Sequence, residues 1–165
     1  SRQEDSDVNH LERWEINGVI TLVMSESSQD EAAAGGDPRR TRKALGHMAT
    51  ITWGEMEDET KLKRQIEAIL FPSGGATSQN ERNDVHIVFD AQKNGAFLVT
   101  NDGGSRRQPG GILGNADALL RIGIRVMRPN EAVRIVAERI LVRDSNARQR
   151  SERDRTSLPD WVGKD

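Results

Sequence analysis

The stretch from Asn83 to Asp102 constrains the fold of this chain more than any other. It reads as a helix opening at Asp84, a stop at Gly95, a buried strand over 96–100, and a second aspartate, Asp102, just past the strand. Ala96-Phe97-Leu98-Val99 is a short apolar run that reads as a buried strand. A helix feeding such a strand brings two carboxylates, 18 positions apart, to one edge of a sheet. Carboxylates at the C-terminal edge of a parallel sheet commonly hold a hard divalent cation.

The rest of the pattern alternates in the same way. A helix is expected over 8–16, with Val8, Leu11 and Trp14 on one side and Asn17-Gly18 as its stop. Val19 to Met24 is an apolar, β-branched run of strand length. Helices are expected over 25–34 and from Asp37-Pro38 toward Met48, with an extended piece at 51–53. An amphipathic helix over 58–71 carries Leu62, Ile66, Ile69 and Leu70, and a loop rich in Ser, Gly, Asn and Thr follows over 72–82. Beyond Asp102 come a flexible stretch at 103–111, a short helix at 115–121 and a strand at 122–127. A helix then opens at Pro129, with Ala132, Val133, Val136 and Ile140 on its apolar face. Strands near 19–24, 96–100 and 122–127 separated by helices predict an α/β fold, a three-layer α/β/α domain with a mostly parallel central sheet. That domain spans 1–142. From Arg143 to Asp165 the chain holds five arginines and five acids with few apolar residues, and reads as a solvated, flexible tail.

Composition narrows the function classes. At 165 residues the chain fits one domain with tails, and 35% hydrophobic against 30% charged residues supports a core with much surface. A formal net charge of -2 gives no global basic field, so any nucleic-acid contact must be a local patch. The absence of cysteine excludes disulfides, thiolate metal sites and a cysteine nucleophile. His10, His47 and His86 are not at zinc-motif spacing, and no phosphate loop or nucleophile elbow is present. No apolar run reaches the ~20 residues of a membrane span, and the polar start is no secretory signal, so a cytoplasmic location is expected.

Taken singly, each acid has an ordinary reading beside a functional one. Asp102 before Gly103-Gly104 is a turn aspartate or a ligand at a sheet edge. Asp84 is a helix cap, a role Asn83 would share, or a carboxylate facing a cation. Asp90, six residues on, is roughly 240° around the helix from Asp84 and points elsewhere. Glu31 and its neighbour Asp30 sit among solvated acids, and Asp5 and Asp7 precede the first helix.

The spacing nonetheless resembles a family. Asp84, Ala91 seven residues later, Gly95 eleven later, and Leu98-Val99-Thr100-Asn101 leading to Asp102 resemble the second half of a PIN domain. This is the metal-dependent ribonuclease fold that includes the toxins of toxin–antitoxin pairs. Ile122 to Ala132 is similar to the family's closing strand and last helix, and the likeness covers about residues 84–140. Upstream, Asp5-Ser6-Asp7 resembles the family's first acidic motif, with Asp7 the alternative to Asp5, although Ser1 to Glu4 is polar where the family has an apolar strand. Glu31 with Gly35 resembles the second acid. The resemblance implies that Asp5, Glu31, Asp84 and Asp102 gather around one or two Mg²⁺ or Mn²⁺ ions. It implies supporting hydrogen bonds from Thr100 and Asn101 and an accessory acid at Asp117. The chain would then act as an endoribonuclease, with RNA as substrate, an antitoxin-like protein as a partner and a homodimer open to it. Arg106 and Arg107, and Arg39, Arg40, Arg42 and Lys43, are the basic clusters placed to meet a phosphate backbone; any one of them alone is more often ordinary surface charge. Two rivals stand beside this reading. One is a PIN-like module with incomplete acids that binds RNA or protein without cutting. The other is a different parallel α/β domain of receiver or nucleotide-binding type.

Overall fold

The computed structural model describes residues 2–25, 38 and 57–165. Among these the chain is mainly helical. In chain order the elements are α1 (Arg2–Ile16), α2 (Glu57–Leu70), α3 (Gln79–Lys93), β1 (Leu98–Val99), α4 (Gly111–Gly114), α5 (Ala116–Leu120), β2 (Val126–Met127) and α6 (Pro129–Asp154). The three-layer α/β/α domain with a central parallel sheet is therefore not what forms. Among the described residues there is one parallel pair, β1 with β2, in the register Leu98↔Val126 and Val99↔Met127.

The reason lies in how little of each apolar run finds a ladder. Leu98 donates its N–H to Arg125 O at 2.9 Å and Thr100 to Met127 O at 3.0 Å, and the pairing goes no further. The Val19–Met24 run is irregular, with Thr21 and Val23 exposed, so its β-branched content builds no strand. The expected helix over 25–34, the one reopening at Asp37-Pro38 and the extended piece at 51–53 lie outside the described residues, apart from Pro38, which is helical.

The chain divides into two compact units: residues 1–22 with 129–165, and residues 23–128. The second unit carries the apolar core. The side of α2 with Ile66 and Leu70 and the side of α3 with Val85, Val88 and Phe89 close on Ile112, Leu119 and Ile124, all nine-tenths buried or more. At ~25 cal/mol per Å² this burial is the main favourable term for the unit.

Helix α3 begins earlier than Asp84. Ser78 is its N-cap: the Ser78 hydroxyl accepts the Glu81 N–H at 3.2 Å, and the Glu81 carboxylate accepts the Ser78 N–H at 3.0 Å. This reciprocal Ser-x-x-Glu box starts the helix at Gln79, inside the stretch expected to be loop. The far end behaves as expected. Gly95, at φ 60°, returns its N–H to Gln92 O at 3.0 Å, and Ala96 returns its own to Ala91 O at 2.8 Å. That is the glycine-terminated stop that turns the chain into β1.

In the other unit α1 packs against α6, and the buried apolar side chains described on these helices include Leu11, Trp14, Pro129, Ala132 and Ile140. The stretch from Arg143 onward, which reads in sequence as a flexible tail, is helical to Asp154. Helix α6 runs unbroken to Asp154, so no domain edge falls at 142. The chain then folds back, and Gly163 donates its N–H to Asp144 Oδ2 at 2.7 Å. Asp144 Oδ1 takes Arg143 Nε at 3.0 Å and Nη2 at 2.8 Å. Arg143 Nη2 also meets Asp165 Oδ2 at 2.6 Å, and its guanidinium lies 4.5 Å from the centre of the Trp161 ring. Among the described residues no helix is long and apolar enough to cross a membrane.

Candidate functional site

The early start of α3 changes the place of Asp84. It sits in the second turn of the helix, half-buried, and is not a cap residue. The favourable field of a helix N-terminus fades within the first turn, so α3 does not stabilise the Asp84 carboxylate as an N-terminal position would. Neighbouring Asn83 is buried and accepts from Gln79 Nε2 at 2.9 Å. His86 is exposed and Asp90 is half-buried.

Asp102 is the best-defined member of the site. It follows β1 at its C-terminal end, where the ligands of parallel sheets bind. Its backbone N–H is held by the Thr100 hydroxyl at 3.1 Å. Thr100 thus fixes the main chain of Asp102 and not its carboxylate, which differs from the expected role. The carboxylate closes a loop: Oδ2 accepts the Ile112 N–H at 2.7 Å and Oδ1 the Gly104 N–H at 3.2 Å. Between these anchors the loop folds on itself. Ser105 donates its N–H to Gln108 O at 3.0 Å, Gly111 donates to the same oxygen at 3.0 Å, and the Gln108 N–H meets Ser105 Oγ at 3.3 Å. The Gln108 side chain is buried, and its amide nitrogen finds no acceptor among the described residues.

The basic loop residues differ in their engagement. Arg107 Nε pairs with Glu81 Oε1 at 3.0 Å, which ties the loop to the cap of α3. Arg106 is exposed. The Glu81 carboxyl is lowered from 4.5 to about 2, first by the Ser78 N–H, then by that of Thr77, with the Thr77 hydroxyl and the Arg107 charge adding less. Asn101 and Asp117 are both exposed, Asp117 in the first turn of α5.

Of the four expected acids, two lie in the unit of residues 23–128 and are described: Asp84 and Asp102. Glu31 is outside the described residues, as are Arg39, Arg40, Arg42 and Lys43. Asp5 lies within α1, in the other unit, and not at the end of a strand; Asp7, the fallback, is a half-buried residue of the same helix. Among the described residues no three His, Asp or Glu side chains gather as a metal-binding group. The donor chemistry of Asp102 still suits a hard cation. Each of its oxygens accepts one N–H and keeps a further acceptor site. Mg²⁺ typically takes one or two protein carboxylates and fills its shell with water and substrate phosphate oxygens. Compared with protein-family models, curated proteins and solved structures, the chain matches none.

Proposed function

We propose that this chain is a metal-dependent endoribonuclease whose site is built on the unit of residues 23–128. The observation that carries the reading is Asp102: an oriented carboxylate just past the end of a parallel strand, 18 residues after Asp84 in a spacing that resembles the PIN pattern. Asp84 and Asp102, with Glu31 as third acid, are the groups that would hold Mg²⁺ or Mn²⁺. Such an ion, when bound, lowers the pKa of a water and stabilises the departing oxygen of a phosphodiester. The residues themselves bind and orient. Thr100 anchors the Asp102 main chain, Ile112 and Gly104 aim its carboxylate, and exposed Arg106 offers a cation to the RNA backbone.

The test uses labelled single-stranded RNA with Mn²⁺ and then with chelator, beside Asp84→Asn and Asp102→Asn. Cleavage should fall by more than about 100-fold in each variant, beyond the 10–100-fold typical of groups that only support a ligand. Cleavage that persists in chelator or in both variants sinks the assignment. A second reading, a module that binds RNA without cutting it, is favoured by one feature: both Asp102 oxygens already hold backbone N–H groups. Retained RNA binding with no cleavage in the parent protein would select it.

A further inference from the structure

We propose that Gly111, with Gly104 facing it, is the positioning residue for the Asp102 carboxylate. The inference rests on the reading of Asp102 as a functional acid and deepens it. The Gly103-Gly104 and Gly110-Gly111 pairs look irregular in sequence, but the fold gives two of these glycines a defined task. At Gly111 the backbone has φ +62°, and a Cβ there would stand 2.4 Å from Asp102 Oδ2 and 2.3 Å from Gly104 N. At Gly104 φ is +89°, and a Cβ would stand 2.1 Å from Gly111 N and 2.5 Å from Gln108 O. Non-bonded carbon needs ~3.5 Å or more, so no side chain fits between these strands of the loop. Only a glycine at each position lets the main chain close until the Gly104 and Ile112 N–H groups reach the two oxygens of one carboxylate.

The chemical consequence is orientation. An aspartate at an exposed turn samples several rotamers. Here two backbone donors fix the carboxylate plane, and each oxygen keeps one acceptor site for a cation. An alanine at 111 must push the carboxylate out of this plane or open the loop. Either outcome leaves the acid present and its geometry lost.

The experiment uses the full chain with Gly111→Ala, and Gly123→Ala as control. Gly123 has a similar left-handed backbone, φ +86°, and open space where a Cβ would go, so it reproduces the strain without the contact. Three readouts separate the roles: hydrogen exchange at the Ile112 amide, Mn²⁺ affinity from water-proton relaxation, and kcat against KM for single-stranded RNA. In Gly111→Ala, Ile112 exchange should quicken, Mn²⁺ affinity fall and kcat fall, each by at least about tenfold, with KM near the parent value. Gly123→Ala should match the parent in all three. A folded Gly111→Ala that keeps its Ile112 protection, or its Mn²⁺ affinity and kcat, overturns the proposal. If Gly111→Ala fails to fold, Asp102→Ala, which removes the acceptor, takes its place in the exchange measurement: unchanged Ile112 protection refutes the carboxylate clamp, and faster exchange supports it. A parent protein that neither binds Mn²⁺ nor cuts RNA overturns the nuclease reading instead. Ile112 exchange in Gly111→Ala then decides the positioning on its own, faster exchange supporting it and unchanged exchange refuting it.

Discussion

Asp102 and Asp144 are two carboxylates held in opposite ways. Asp102, in the unit of residues 23–128, is held by main-chain N–H groups, two and ten residues away. Asp144, in the unit formed by 1–22 and 129–165, is held by the neighbouring Arg143 guanidinium, which also reaches Asp165, and by one N–H from Gly163, 19 residues on. The first arrangement is written into backbone geometry and glycine placement. The second depends on particular side chains. The surroundings differ in the same sense: Asp102 sits in the unit that holds the contiguous apolar core, while the buried apolar residues on α1 and α6 are few. A site that must keep its geometry while substrates come and go is better built on the first plan, because main-chain donors have no rotamers to lose.

The largest test of that contrast is in the core. Leu119→Ala removes a fully buried side chain and should cost about 2–5 kcal/mol in denaturant unfolding. Leu141→Ala, on α6 and 70% exposed, should stay within about 0.5 kcal/mol. Near-equal losses would show that apolar burial is not what distinguishes the two regions.

A smaller effect tests the clasp around Asp144. Asp144→Ala leaves the Gly163 N–H without its acceptor and Arg143 with Asp165 alone. Gly163 exchange should quicken by about an order of magnitude, with loss of the near-ultraviolet signal of Trp161. Arg143→Lys should do nearly as much, since an ammonium cannot supply the paired contact or lie flat on the indole. A lysine variant with parent behaviour would mean that the clasp is main-chain in character after all.

The same contrast explains what could be read from the sequence. The stop at Gly95, the aspartate past β1 and the amphipathic helix over Glu57–Leu70 are encoded within about a turn of chain, and each is where the residues put it. The capping box at Ser78 and Glu81 is equally local, yet the Ser, Gly, Asn and Thr around it have loop composition and hid the helix start. The sheet was overestimated because a short apolar run does not say whether it will find a neighbour. Val19–Met24 has strand composition and pairs with nothing among the described residues, while β1 and β2 pair over two residues each. Past Arg143 the charged sequence reads as disorder, yet the last helix continues to Asp154. Arginine and glutamate are good helix formers, and what orders the end is a contact between residues 19 to 22 positions apart, which no window of sequence reveals. Of the candidate site, what the sequence shows is the position of Asp102 just past β1. The strand-end position expected of Asp5 or Asp7 does not form, since both belong to a helix that begins upstream of them.

Protonation gives the finest separation of the two plans. Glu81 is lowered to about 2 mainly by the Ser78 and Thr77 N–H groups, with the Arg107 charge the smallest cause, whereas Asp144 is lowered chiefly by Arg143. Removing the cation should therefore act unequally. In Arg107→Met the Glu81 carboxyl should still titrate well below 4.5, while in Arg143→Met the Asp144 carboxyl should lose most of its depression, both read from carboxyl carbon shifts against pH. The stability consequence has a definite sign. A carboxyl whose folded pKa lies below its unfolded value binds fewer protons in the folded state, so its contribution is full above about 4.5 and is lost as pH falls toward 2. The stability advantage of the parent over Glu81→Gln should hold steady from neutral pH to about 4.5 and shrink below it. An advantage that fades already between pH 7 and 5 would mean that the Glu81 carboxylate is not held by the Ser78 and Thr77 amides, and the backbone-held plan would then fail at an acid whose two main-chain donors lie three and four residues away.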